Sequence, residues 1–183
     1  MYEVEVKVPA SLESVRERLE ELGADREGVV IQEDTYYDAP HRAFAETDEA
    51  LRIRRESRPE TDAAETKLTY KGPLVDDRSK TREEVETGVE SAGDVDAILT
   101  NLGFDAAATV RKERERFSVD GYVVTLDDVD GVGEYVEVET DAETEADLES
   151  ARDGAFTLLE RLGLDPTDQV RTSYLGLLLE GGD

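Results

Sequence analysis

Hydrophobic and polar residues alternate strictly from position 2 to position 8, with Val4, Val6 and Val8 on one side and Glu3, Glu5 and Lys7 on the other. A period of two is the mark of a β-strand, whose successive side chains point to opposite faces. The pattern returns at residues 50–56, where Leu51 and Ile53 oppose Arg52 and Arg54, and at 65–71, where Leu68 and Tyr70 oppose Lys67, Thr69 and Lys71. A fifth strand over 80–87 carries Arg82, Glu84 and Glu86 in register. Residues 29–38 and 108–118 also read as strands. Asp120-Gly121 is a tight-turn signal that pairs 108–118 with 122–128 as a hairpin, and 129–133 turns into an eighth strand over 134–140. Gly72-Pro73 is expected to stop the fourth strand, and 57–64 reads as a polar, proline-bearing loop.

Helical periodicity appears in the intervals. Leu12, Val15, Leu19 and Leu22 fall on one face behind Ser11, and Gly23 ends the run. Val95, Ile98, Leu99 and Leu102 follow Ser91-Ala92-Gly93-Asp94 and close at Gly103. Thr144 leads a longer helix with Leu148, Ala151, Ala155, Phe156, Leu159 and Leu162, terminated by Gly163. A last amphipathic segment runs from Asp165-Pro166 through Tyr174 and Leu179. About eight strands with three or four helices predict an α+β fold, and short connections make the strands antiparallel. The 183 residues suit a single domain over 1–183 with a sizeable core.

Charge narrows the partners. With 47 acidic against 21 basic residues the net charge is −26, so nucleic acid and anionic membranes would be repelled. Intact helix and strand patterning at this acidity points to a surface adapted to high salt, where screening removes self-repulsion. No cysteine is present, and the single histidine, His41, falls in a loop, which excludes thiolate chemistry and a multi-histidine metal site. No apolar run approaches a membrane span, and a cytoplasmic protein is expected.

The charged rows of the strands then require an explanation: Glu3, Glu5 and Lys7; Arg52 and Arg54; Lys67 and Lys71; Arg82, Glu84 and Glu86; Lys112 and Arg114; Asp127; Glu137 and Glu139. Either these faces are wet and the apolar faces form the core, or the sheet closes and the charges line its interior. Lysine usage favours closure. The chain has five lysines (Lys7, Lys67, Lys71, Lys80 and Lys112), none in a predicted helix, and four of them fall in these rows. Opposed charges inside a barrel are costly unless paired, hydrated or occupied by a charged ligand. Lysine and arginine from several strands suit a polyphosphate, and carboxylates suit hard divalent cations that bridge to phosphate.

Glu3-Val4-Glu5-Val6-Lys7 resembles the ExExK signature of the CYTH, or triphosphate tunnel metalloenzyme, family. The rest of the ordered series follows: Asp34-Thr35-Tyr36-Tyr37-Asp38, Leu51-Arg52-Ile53-Arg54, Lys67 and Lys71, Arg82-Glu83-Glu84, Lys112-Glu113-Arg114, Leu126-Asp127, Gly133 before Glu137-Val138-Glu139, and Ser173-Tyr174-Leu175. The resemblance implies a closed eight-stranded antiparallel β-barrel flanked by helices, binding a triphosphate with Mg2+ or Mn2+. By motif match, Lys7, Arg52, Arg54, Lys67, Arg82, Lys112 and Arg114 would hold phosphate, with Lys71 an addition. Glu3, Glu5, Asp127, Glu137 and Glu139 would bind metal, and Glu3, Glu5, Lys7 and Glu139 form the catalytic set.

Family members often place a C-terminal basic residue over the tunnel mouth, for which this chain offers Arg171. Tyr36 and Tyr37 read as a buried aromatic pair or a substrate contact, and Asp76, Asp77, Asp128 and Asp130 as solvated turns. The implied partner is a small triphosphate such as ATP, thiamine triphosphate or tripolyphosphate, and homodimer formation is left open. Three activities fit: a triphosphatase, a class IV adenylate cyclase, and a non-catalytic polyphosphate or nucleotide sensor. The full set of carboxylates argues against the sensor, since anion binding alone does not need them.

Overall fold

The apolar rows pack outward and the charged rows inward, because the sheet closes. The structure, a computed structural model, describes residues 1–181. Its strands are β1 (Tyr2–Pro9), β2 (Asp25–Asp38), β3 (Ala50–Arg58), β4 (Ala63–Leu74), β5 (Lys80–Val89), β6 (Asp105–Val119), β7 (Tyr122–Val129) and β8 (Gly133–Ala142). They form a closed antiparallel barrel in the order β1-β5-β4-β3-β2-β6-β7-β8. Closure between the first and last strands pairs Glu5 with Glu139, Val6 with Val138 and Lys7 with Glu137. Directly opposed residues share a face, so this register puts like with like: charge inside, valine outside.

The outer face is buried by helices α1 (Leu12–Glu21), α3 (Ala92–Asn101) and α4 (Leu148–Arg161), with α2 (Phe44–Thr47) a single turn and α5 (Tyr174–Gly181) last. Val6, Val8, Leu126 and Val138 pack against Val15 and Leu19 of α1 and Leu158 and Leu159 of α4. On the far side Leu99 of α3 meets Tyr37 and Ile53. Each of these side chains is under a tenth exposed, and apolar burial of this kind contributes roughly 25 cal/mol per Å².

Several boundaries differ from expectation for local reasons. β4 passes through Gly72-Pro73 to Leu74 by a register shift between Lys71 and Leu74, so the proline occupies an irregularity where no ladder donor is required. The expected 57–64 loop shrinks to a tight connection between β3 and β4, with Asp62 at φ 56°. The last segment is not one helix. A 3-10 turn at Pro166–Asp168 is followed by extended chain that crosses the barrel end, where Val170 N donates to the Lys7 carbonyl at 2.7 Å before α5 begins.

Two further expectations are corrected. Tyr36 and Tyr37 are not a pair: adjacent strand residues face opposite ways, so Tyr36 lines the interior while Tyr37 packs outside on α3 and donates to Asp96. Asp76 is not a solvated turn. It accepts from Arg152 Nη1 at 3.1 and 3.3 Å and from Ser79 at 2.5 Å, tying α4 to the β4–β5 connection.

Candidate active site in the barrel interior

The barrel encloses a cavity of about 470 Å³ lined by strand side chains of both signs. Its acidic wall is built from β1 and β8. Glu3 and Glu5 lie two residues apart on one strand and Glu139 stands opposite Glu5, which brings one carboxylate oxygen from each within 4.8 Å of the others. Lys80 donates to Glu5 at 3.0 Å, and Lys71 bridges Glu3 to Glu84, 2.9 Å from the latter.

Crowding shifts these acids apart. Burial opposes ionisation of Glu3, but Lys71 beside it holds the carboxyl well below its ordinary range. Burial and the neighbouring Glu3 push Glu139 up to about 8, and burial pushes Glu84 up to about 7 despite Lys71. Three converging carboxylates, one unable to ionise comfortably, are the donor set of a hard divalent cation. Glu3, Glu5 and Glu139 therefore fit a hard divalent cation.

The basic wall comes from β3 and β6 and is organised around Asp34, which is fully buried. Arg54 donates to both its oxygens at 2.7 Å, and Arg52 and Lys112 lie 3.6 and 3.5 Å away. One carboxylate thus holds three cations in place. Arg52 Nε is buried without a hydrogen-bond partner, while the Arg52 side chain lines the cavity. Burial, reinforced by Arg54, lowers Lys112 to about 7. An arriving polyanion would restore its charge.

The remaining expected site residues divide by surroundings. Lys67, 3.3 Å from Glu86, and Arg82 line the cavity, although Arg82 Nη1 donates to the carbonyls of Asp48 and Gly72 at 2.8 Å each and braces the rim. Asp127 and Glu137 stand apart from the three-carboxylate group: both accept from Arg114, Asp127 bidentately at 2.6 Å and Glu137 at 2.7 Å. Lys7 is fully buried and faces the C-terminal segment. Arg171 lines the cavity and its guanidinium donates to the backbone oxygens of Ser79 and Asp76, fixing the β4–β5 connection. Sequence reasoning left out Asp34, Lys80 and Glu84 as site residues. Lys80 and Glu84 share the face of Arg82 by simple alternation, and that signal was available.

A closed α+β barrel whose interior sets carboxylates against guanidinium and ammonium groups is the triphosphate tunnel fold. The chain belongs to the CYTH domain family, whose model matches residues 1–174. It is 35% identical over 178 residues to the MJ0240 protein of Methanocaldococcus jannaschii, covering 97% of this chain and 98% of that one. It is 27% identical over 143 residues to adenylate cyclase CyaB of Aeromonas hydrophila, covering 78% of this chain and 70% of that one. Among solved structures, the PH1819 protein of Pyrococcus horikoshii OT3 matches with a TM-score of 0.90 at 38% identity, over 97% of this chain and 98% of its own.

Proposed function

We propose that this protein is a divalent-metal-dependent enzyme that binds a triphosphate in the barrel and cleaves a phosphoanhydride bond, as a triphosphatase on inorganic or organic triphosphates. The observation that carries the reading is the convergence of Glu3, Glu5 and Glu139 within 4.8 Å across a cavity from preorganised Arg52, Arg54 and Lys112. Phosphoryl transfer needs little covalent work from the protein; positioning and charge neutralisation supply most of it.

Glu3, Glu5 and Glu139 would hold the metal, which when bound neutralises charge on the phosphate oxygens and lowers the pKa of bound water. Arg52 and Arg54, which line the cavity, offer planar guanidinium groups to the phosphate oxygens, and Lys112 and Lys71 offer point charges. Arg114 is neutralised by Asp127 and Glu137 and serves first to hold the floor of the site rigid. Lys67 lies along the same wall. Held in place by their ion pairs, these charges need no rearrangement when charge develops on the leaving phosphate.

A second reading, class IV adenylate cyclase, is favoured by the relatives: CyaB of Aeromonas hydrophila is named an adenylate cyclase, and the name of MJ0240 provisionally gives it the same activity. There the ribose 3′-hydroxyl would attack the α-phosphorus; in the hydrolase, water attacks the terminal one. Purified protein in molar KCl with Mg2+ or Mn2+ should be given ATP, thiamine triphosphate and tripolyphosphate in parallel. Orthophosphate release supports the triphosphatase, cyclic AMP with pyrophosphate the cyclase, and binding without turnover removes both in favour of a sensor.

A further inference from the structure

Along β3 the inward side chains run Arg52, Arg54, Glu56, and along β6 they run Lys112, Arg114, Arg116. The sign reverses on β3 at Glu56. This carboxylate is only 3% exposed. It accepts from both terminal nitrogens of Arg116 at 3.0 Å and from Gln32 Nε2 at 2.7 Å, so side chains from β2 and β6 clamp a residue of β3. Burial opposes its ionisation, yet Arg116 and Gln32 hold its carboxyl down at about 2, which keeps it charged at any working pH.

Glu56 also lies between two spaces. It lines the main cavity, and it lines a second cavity of about 230 Å³ whose other walls are Arg58, Ala63, Ala64 and Glu65, at the β3–β4 end of the barrel. A phosphate chain lying against Arg52, Arg54 and Lys112 and lengthening toward that second space would meet the Glu56 carboxylate in its clamp, with Arg58 4.0 Å away on the far side, and would have to break the buried Glu56–Arg116 pair to pass. Parting a buried ion pair is costly, and a cost borne by one ligand alone is how sites reject a molecule that shares the chemistry of the right one.

We propose that Glu56 is the stop of the tunnel, a specificity-determining residue that admits a triphosphate and rejects longer polyphosphate chains. The inference rests on the triphosphate reading of the site and adds a limit on chain length. Arg116 and Gln32 are positioning residues that hold the stop, not phosphate ligands.

The test compares kcat/KM for tripolyphosphate, tetrapolyphosphate and long-chain polyphosphate in the wild-type protein and in Glu56→Gln and Glu56→Asp. The wild type should prefer tripolyphosphate, Glu56→Gln should shift the ratio toward longer chains by about tenfold or more, and Glu56→Asp, which keeps the charge, should restore the preference. If Glu56→Gln fails to fold because Arg116 is left unpaired, the double variant Glu56→Gln/Arg116→Gln removes both charges and decides the matter by the same ratio. A wild type that favours long chains, or a ratio unchanged in the neutral variants, overturns the stop while leaving the triphosphate reading intact. A wild type that neither binds nor cleaves any of the three overturns both.

Discussion

Lys7 Nζ lies 4.2 Å from the centre of the Tyr174 ring and donates to the Thr172 carbonyl at 2.5 Å. The ammonium of the ExExK pattern is therefore covered by the chain's own C-terminal segment. The same ring lies 5.1 Å from Lys112 Nζ, and its hydroxyl donates to Asp127 at 2.6 Å. Tyr174 thus closes one end of the barrel by satisfying two cations through its face and one carboxylate through its edge.

Removing that closure should be costly. Tyr174→Ala should lower stability by about 3–5 kcal/mol, the range for deleting a buried aromatic ring. Tyr174→Phe keeps the ring over Lys7 and loses only the bond to Asp127, about 1–2 kcal/mol. Urea unfolding of the two variants checks the ordering; equal losses would mean that the hydroxyl alone matters.

The metal assignment predicts a separation of stability from turnover. Glu5→Gln and Glu139→Gln should each reduce turnover by at least about a hundredfold. The metal-free Glu139→Gln protein should nevertheless be as stable as the wild type or more so, because one carboxylate leaves a crowded group. Activity assays beside thermal melts in EDTA read both quantities. Retained turnover in either variant would remove these residues from the metal site.

Asp34, itself outside the expected ligand set, organises three cations that belong to it. Asp34→Asn should cost about 3–5 kcal/mol, since Arg52, Arg54 and Lys112 lose their buried counter-ion. Tripolyphosphate should then raise the melting temperature of the variant more than that of the wild type, as the ligand's charge replaces the carboxylate's. Melting curves across a ligand titration distinguish this from a simple loss of fold, in which added ligand gives no larger shift.

The barrel was legible because alternation recurs strand after strand, and because five lysines were kept in strands while helices carried none. All five stand on the eight barrel strands. No single strand could have shown this, since a wet face and a tunnel wall share one local pattern. The pairing inside the site was harder to see. Arg114 sits opposite Asp127 in the β6–β7 hairpin, a register set by the Asp120-Gly121 turn, so the turn already implied that Asp127 would be taken up by arginine. The role of Asp34 was hidden for a different reason. Its three cationic neighbours come from two strands, and only the order β3-β2-β6 in the closed sheet puts them on either side of it.

The shifted acids also fix how stability should vary with pH in the absence of metal. Glu139 is raised from 4.5 to about 8, and Glu84 from 4.5 to about 7. An acid whose folded pKa is raised stabilises fully below its unfolded value, and that contribution is lost as pH rises through the folded one. These two acids should accordingly withdraw stability from the metal-free protein between about pH 4.5 and 8, whereas acids held low, such as Glu3 and Glu56, act in the opposite sense only below the ordinary carboxylate range. Lys7 and Lys112, lowered from 10.5 to about 7 chiefly by burial, act in the opposite sense above neutrality. Their penalty is full below pH 7 and is relieved as they deprotonate between 7 and 10.5. The interval from pH 5 to 7 is therefore governed by the acids alone. There, urea midpoints in EDTA should fall with pH, saturating Mg2+ or Mn2+ should flatten the fall by occupying the carboxylates, and Glu139→Gln should reduce the slope without metal. A slope that neither the ion nor the substitution changes would show that Glu139 is not the group titrating.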